Sequence, residues 1–334
     1  MSGIRITRDR GGLVLRYRDI SIGLDAGIPD GPTLLSHAHA DHVVSVADAR
    51  NIVATRPTLE TFSARGGRRV RVSTTVAVGE SVSCADGVVV TALNAGHVLG
   101  SSMFLIDLGE LHVLYTGDFN TVDSLVHTAA RPVRAEVLVM EATYGTPQWT
   151  FPPRKNVYRD ILETARIELD EGRIPCFHAY SLGKAQEAIA LFTGAGLPVL
   201  VGNKSIDAVS RVYHKHGTEL DYALLSSKES RELRGCGCVV VMSSARHMMH
   251  NIARVHGWQF AQTIQRRMRS FDLSGWTLPN YGQNGFPLSA HADFPALVRF
   301  AHEVEPVITY CFTENAQVLA SHLAAEGLPA VPLE

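Results

Sequence analysis

The sequence predicts an α/β protein in two parts, a β-rich scaffold built from both ends of the chain and an α/β layer inserted between them. Three observations lead there. Short β-runs follow one another closely through roughly the first 140 residues, strand and helix alternate after Gly145, and the stretch from Leu278 onward, too short to fold alone, returns to short strands and helices.

The scaffold strands are read at 13–17, 20–24, 33–35, 70–72, 88–93, 103–108, 112–115 and 137–140, apolar or alternating runs bounded by Gly, Asp and Pro. Residues 42–50 are the main early helix candidate. With so few helices between strands, packed sheets are expected rather than a doubly wound alternation. A segment bearing Pro147, Pro152 and Pro153 then leads into helix 157–170, strand 174–178, helix 183–193, strand 198–201, helix 205–216 and strand 239–242. That order is the pattern of a parallel layer. The expected boundaries are 1–146 and 277–334 for the scaffold and 147–276 for the insertion.

Composition narrows the function classes. A length of 334 residues suffices for about two domains of ~150 residues, and 46% hydrophobic with 19% charged residues excludes an extended or low-complexity chain. The net charge of -2 provides no global positive field, so any polyanion site must be local. No apolar run approaches the ~20 residues of a membrane span, and residues 1–12 are too charged for a signal peptide, so a cytoplasmic protein without a membrane partner is expected. Cys84, Cys176, Cys236, Cys238 and Cys311 form no CxxC pair and read as reduced thiols. Arginine outnumbers lysine 26 to five; its planar fork suits phosphate, and genome base composition yields the same bias.

The strongest chemical signal is Ser36-His37-Ala38-His39-Ala40-Asp41-His42, directly after an apolar strand. Three imidazoles and a carboxylate so close together can converge on one small volume as metal ligands. Two further segments lie at strand ends. Gly96-His97-Val98-Leu99-Gly100 has flanking glycines that permit an irregular turn aiming one imidazole inward, and Thr116-Gly117-Asp118 supplies a carboxylate that can bridge two ions. Taken singly, Asp118 reads better as a turn residue after Gly117.

The HxHxDH pattern, the GHVLGS and TGD segments, and Asp25 ending the preceding strand resemble the metallo-β-lactamase superfamily. The resemblance implies an αββα sandwich with His37, His39 and His97 on one zinc ion, Asp41 and His42 on a second, and Asp118 bridging. Asp25 is then the carboxylate that orients a ligand histidine; a capping turn before Gly27 explains it equally well. Met140-Glu141-Ala142-Thr143-Tyr144-Gly145 and Leu288-Ser289-Ala290-His291-Ala292-Asp293-Phe294 resemble motifs A and B of the β-CASP nucleases, and the 149 residues between them match the family's inserted domain. The likeness is greatest to the archaeal Cft2-like RNA-processing type and, slightly less, to ligase-associated DNA exonucleases.

The family's two-metal hydrolysis assigns Asp41 to orienting the nucleophile, and His291, held by Glu141, to protonating the leaving oxygen or binding phosphate. Ser289 and the helix-opening pair Ser181 and Lys184 are the phosphate contacts expected; a plain helix cap at Ser181 is an even alternative. One departure stands out. Where motif C has a histidine, this chain has Phe312 in Thr309-Tyr310-Cys311-Phe312-Thr313-Glu314, so weaker occupancy of the second zinc site is expected, with His302, His322 or Glu314 as substitutes. Manganese is an alternative ion. Single-stranded RNA or DNA is the expected partner, and a homodimer stays open. The basic runs at 65–69 and 266–269, with Trp258 and Trp276, are candidate strand contacts or else surface and core. A hydrolase of small esters, lactones or thioesters and an inactive nucleic-acid-binding homologue are the competing readings.

Overall fold

The computed structural model describes the chain except for residues 1, 2, 69, 71, 72, 85, 86, 229, 231–236, 244–247 and 334, and the side chains of 248, 249 and 251. Cys236, His247, Arg69 and most of the strand expected at 70–72 therefore lie outside the described residues. The chain divides into two compact units. Residues 1–123, 127–150 and 291–334 form the first, and 124–126 with 151–290 form the second.

In the first unit, β1 (Ile4–Asp9), β2 (Gly12–Tyr17), β3 (Ile20–Leu24), β4 (Pro32–Leu34), β5 (Asn51–Ala54) and β6 (Ser73–Thr75) lie side by side in that order. A second sheet runs β19 (Ala330–Pro332), β18 (Ile308–Phe312), β11 (Val137–Glu141), β10 (His112–Tyr115), β9 (Ser102–Asp107), β8 (Val89–Asn94), β7 (Ser81–Ser83). Alternation sorts its side chains. Val113, Tyr115, Val137 and Val139 join Leu15, Ile22 and Leu24 in the core between the sheets. Leu114, Leu138 and Met140 face the opposite way, onto Leu297 and Phe300 and onto Leu319 and Leu323. Those residues belong to two helices, 294–304 and 316–325 in the chain, which cover that side. Because β11 is buried on both faces, it reads as an unbroken apolar run ending in a carboxylate.

Helix α1 (Arg56–Ala64) covers the outer side of the first sheet, where Leu59 and Phe62 pack on Leu35, Ile52 and Ala54. Thr55 caps its start, accepting from Thr58 N at 3.3 Å. Its end closes with two bonds, Gly66 N to Ser63 O and Gly67 N to Phe62 O. This paired closure needs a left-handed residue after the cap, and Gly66 supplies it at φ +86°. The helix expected at 42–50 does not form; only a 3-10 turn, Val46–Asp48, does. Its side chains are bound elsewhere: His42 Nδ1 lies 2.7 Å from Asp25, and Ser45 Oγ accepts from Gly27 N at 2.9 Å. Tertiary bonds there override helical spacing.

The second unit is an all-parallel sheet, with β12 (Ile174–His178), β13 (Val199–Val201), β14 (Ala223–Leu224), β15 (Val239–Met242), β16 (Met268–Leu273) and β17 (Gly285–Phe286) ordered 14-13-15-12-16-17. Its helices are α2 (Arg154–Asp170), α3 (Lys184–Gly194), α4 (Lys204–Lys215), α5 (Met248–His256) and α6 (Trp258–Arg267). The scaffold helices noted above follow as α7 (Phe294–Val304) and α8 (Ala316–Ala325). Ile252, Ala261 and Ile264 of α5 and α6 pack on Cys176 and Val240, while Phe177, on the other face of β12, meets Phe192 of α3 at 4.9 Å. The return to the first unit comes after Ala290 rather than at the expected residue 277. The reason is β17, which pairs with β16 and keeps the intervening chain with the inserted sheet. Trp258 and Trp276 are 58% and 46% exposed, so neither is core. Arg266, Arg267 and Arg269 are exposed at the junction of α6 and β16. Among the described residues no helix is long and apolar enough to cross a membrane.

Candidate metal centre

At one edge of the first unit the loops after β4, β8 and β10 bring His37, His39, His97 and Asp118 together, each offering a ligand atom within 4.8 Å of the others. His39 Nδ1 lies 3.0 Å from His37 Nε2 and 3.0 Å from His97 Nε2. Ligands at Zn–N ~2.0–2.1 Å in a tetrahedron sit ~3.3 Å apart, so these separations are close to those the donor set needs. Asp118 Oδ2 lies 3.2 Å from His42 Nε2, 3.5 Å from His37 Nε2 and 3.7 Å from His97 Nε2. Its approach depends on Gly117, at φ +51°, where a Cβ would come within 2.5 Å of Ser36 Cβ. The histidines and carboxylate therefore fit a divalent ion by atom type and spacing.

The imidazoles are aimed by hydrogen bonds behind them. Asp25 accepts from Ser36 N and Ser36 Oγ at 2.6 Å each, and from the Tyr115 hydroxyl at 2.7 Å. The same carboxylate faces His42 Nδ1 at 2.7 Å, which fixes that nitrogen's proton and leaves Nε2 turned to Asp118. Ser36 Oγ, already donating to Asp25, lies 3.0 Å from His37 Nδ1 and so accepts there, which frees His37 Nε2 in the same way. Burial holds the His37 pKa well below its ordinary value, reinforced by the charge of His42. For His42 burial acts downward too, but Asp118 and Asp25 outweigh it and raise the pKa well above the ordinary value. Burial alone would raise the Asp118 carboxyl; His42 and His291 overcome it and hold the group well below the usual range.

Asp25→Asn keeps the shape and tolerates the left-handed backbone at φ +56°, but turns an acceptor toward His42 and Tyr115 into a donor. Divalent-ion affinity, read by chelator competition, should fall ~10–100-fold. Unchanged affinity would remove Asp25 from the centre.

Glu141 and His291 stand beside the cluster. Glu141 is fully buried at the end of β11 and accepts from Phe119 N at 2.7 Å, while its two oxygens lie 3.1 and 2.9 Å from His291 Nδ1. Burial raises the Glu141 carboxyl pKa against the opposing pull of His291. The His291 ring meets the His97 ring edge-on at 4.6 Å, and Ala292 N donates to Phe119 O at 2.8 Å. Asp118, Glu141 and His291 thus form a second convergent group.

Other expected site residues fall elsewhere. Asp41 joins neither group: its side chain is 78% exposed, with Oδ2 3.8 Å from His42 Nε2. Phe312 is buried against Tyr115 at 5.7 Å. His302 and His322 both reach Glu326, at 2.7 and 3.1 Å, Glu314 is exposed, and none of the three joins a convergent group. Ser181, Lys184 and Ser289 belong to the second unit. Ser181 is not the cap of α3; Gly183 is, its N–H donating to Gln186 Oε1 at 2.8 Å. Sequence reading missed Ser36 and Tyr115 as supports of Asp25, since nothing in their spacing marks them. It also read Arg65 as a candidate strand contact or a surface arginine, although the Thr55, Pro57 and Gly66-Gly67 signals of helix start and stop could have placed it at a helix end.

A sandwich of two sheets between helices, with a histidine-rich edge, defines a metal-centre scaffold. Residues 32–195 match the family model described as Beta-lactamase superfamily domain. Residues 32–195, just under half of the chain, thus carry a metallo-β-lactamase superfamily domain. A protein of Opitutus terrae named Probable DNA ligase is 28% identical over 320 residues, covering 92% of this chain and 29% of that protein. Endoribonuclease YSH1 of Mycosarcoma maydis is 38% identical over 114 residues, 34% of this chain and 13% of the relative. The Cleavage and polyadenylation specificity factor subunit 3 of Dictyostelium discoideum is 32% identical over 108 residues, 32% and 14% of the two chains. The aligned region thus spans less than a third of each of these relatives, and their likeness is consistent with the β-CASP type.

Proposed function

We propose that the chain is a divalent-metal-dependent nuclease that hydrolyses phosphodiester bonds of single-stranded nucleic acid, RNA first, with zinc as resident ion and manganese as substitute. The observation that carries the reading is the pairing of His291 with the fully buried Glu141 beside Asp118. A hydrolase of small esters on this scaffold has no evident use for it. His37, His39 and His97 with Asp118 would hold one ion, and His42 with Asp118 a second. When bound, such ions supply Lewis acidity toward phosphoryl oxygens and a nucleophile at neutral pH. Glu141 holds His291 by Nδ1 and stabilises its protonated form, which leaves Nε2 to deliver a proton to the departing oxygen. Asp41, exposed 3.8 Å from His42 Nε2, is assigned to accepting a hydrogen bond from the nucleophile rather than to a ligand set.

In the second unit, Ser181, Lys184 and Ser289 are assigned to phosphate contact. Lys184 opens α3, is 7% exposed, and holds its ammonium 4.4 Å above the Tyr180 ring. Glu187, one turn on, is already taken by Arg154 through two 2.7 Å bonds and by the Tyr158 hydroxyl. Burial lowers the Lys184 pKa to about 8 from its ordinary 10.5. The unfolded chain therefore binds more protons between those values, and stability should rise as pH climbs from about 8 to 10.5. Lys184→Met should raise stability at pH 7 by about 3 kcal/mol and flatten that rise. Urea unfolding at pH 7 and pH 10 checks both, and a variant no more stable at pH 7 would show the charge to be paired.

One observation favours DNA as a second reading: the match running along 92% of the chain is to a protein named Probable DNA ligase. Matched 5′-labelled and 3′-labelled RNA and DNA oligonucleotides, digested with added Zn²⁺ or Mn²⁺, test both readings. Product ladders give substrate and polarity together. Turnover of a chromogenic ester without cleavage of any oligonucleotide would overturn the proposal.

A further inference from the structure

Helix α1 is tied at both ends to loops that carry the clustered histidines. At its start the Thr55 and Thr58 hydroxyls both donate to the Gly100 carbonyl, at 2.7 and 2.8 Å, and Gly100 closes the turn that presents His97. At its end Arg65, the C-cap residue, donates through Nη1 to the Ala38 carbonyl, between His37 and His39. Nothing in the sequence separation suggests this, since Arg65 lies 27 residues from Ala38 and Thr55 lies 45 from Gly100.

We infer that α1 is a strut setting the position of the His37–His39 loop relative to the His97 loop, with Arg65 as a positioning residue of the metal centre. The local structure supports a fixed role. The Gly66 and Gly67 closure ends the helix at Arg65, so the side chain leaves from a defined point. Leu59 and Phe62 anchor the helix body on the sheet. Arg65 is half-buried, which lowers its pKa against the opposing charge of Asp41, and its guanidinium is held on the loop by the Ala38 carbonyl. A guanidinium on a main-chain carbonyl touches no ligand atom. It acts by holding the peptide between two ligand side chains, as the hydrogen bonds behind metal-binding histidines hold their rings.

The inference rests on the metal centre but not on the choice of substrate. Arg65→Met keeps the aliphatic stem and removes every donor; Arg65→Lys keeps one donor and the charge. Each should be purified full length, checked for wild-type melting in the ion-free form, and titrated with Zn²⁺ against a chromophoric chelator. Co²⁺-loaded protein gives a ligand-field spectrum that reports coordination geometry. Arg65→Met should bind Zn²⁺ ~10–100-fold more weakly with an altered Co²⁺ spectrum, and Arg65→Lys should recover most of both. Thr55→Val with Thr58→Val should weaken binding in the same way from the other end. Wild-type affinity and spectrum in Arg65→Met would overturn the inference, as would weakening that Arg65→Lys does not relieve. A wild-type chain that binds ions but cleaves no oligonucleotide would defeat the nuclease proposal and leave these readouts intact.

Discussion

His291→Ala should retain wild-type divalent-ion content and lose ~10²–10⁴-fold in turnover of single-stranded oligonucleotide, the usual contribution of a positioned proton donor. The expectation follows from geometry. His291 lies on Glu141, not among the three imidazoles that meet at 3.0 Å, and its Nδ1 is committed to that carboxylate. Glu141 is held in turn by Phe119 N at 2.7 Å, so the pair is fixed before any substrate arrives. Metal analysis by atomic emission and single-turnover cleavage measure the two halves separately. Turnover equal to wild type would remove His291 from the chemistry, and loss of ions would make it a ligand.

Asp118→Ala should lose both ions and turnover, because one oxygen lies within 3.7 Å of three imidazole nitrogens. Its effect on affinity should exceed the ~10–100-fold expected of groups that only orient ligands. The ion-free protein gives an independent check. Through Asp118 and Asp25, His42 has a folded pKa above its ordinary 6.5. Its contribution to stability is therefore full below 6.5 and fades as pH rises through the folded value. Asp118→Ala should shrink that pH dependence in chelator-treated samples, followed by thermal melts from pH 5 to 8. A variant that keeps its ions would refute the bridging role.

Much of this was legible from residue order. The runs at 13–17, 20–24 and 112–115 appear as β2, β3 and β10 because each is short, apolar or alternating, and ends at a turn. The metal-centre histidines could be picked out because 37, 39 and 42 crowd one loop at a strand end. What escaped depended on distant partners. The 42–50 segment has apolar residues at helical spacing, yet Asp25 and Gly27 claim His42 and Ser45, and no local rule reports that. Asp41 looked like its neighbours in a six-residue pattern, but only the path of the loop decides that its carboxylate turns outward. α1 was overlooked because its sequence, RPTLETFSA, is too polar for an apolar stripe to stand out, so its caps carry the signal.

Phe312 has one more consequence. With a phenyl ring on β18 in register with Glu141, the last strands of the sandwich contribute no coordinating atom to either convergent group. Every imidazole and carboxylate clustered about His39 is translated before residue 119, whereas Glu141 and its imidazole partner straddle the whole inserted sheet. A substitution after residue 119 can therefore remove the Glu141–His291 pair without removing any of the side chains that cluster about His39.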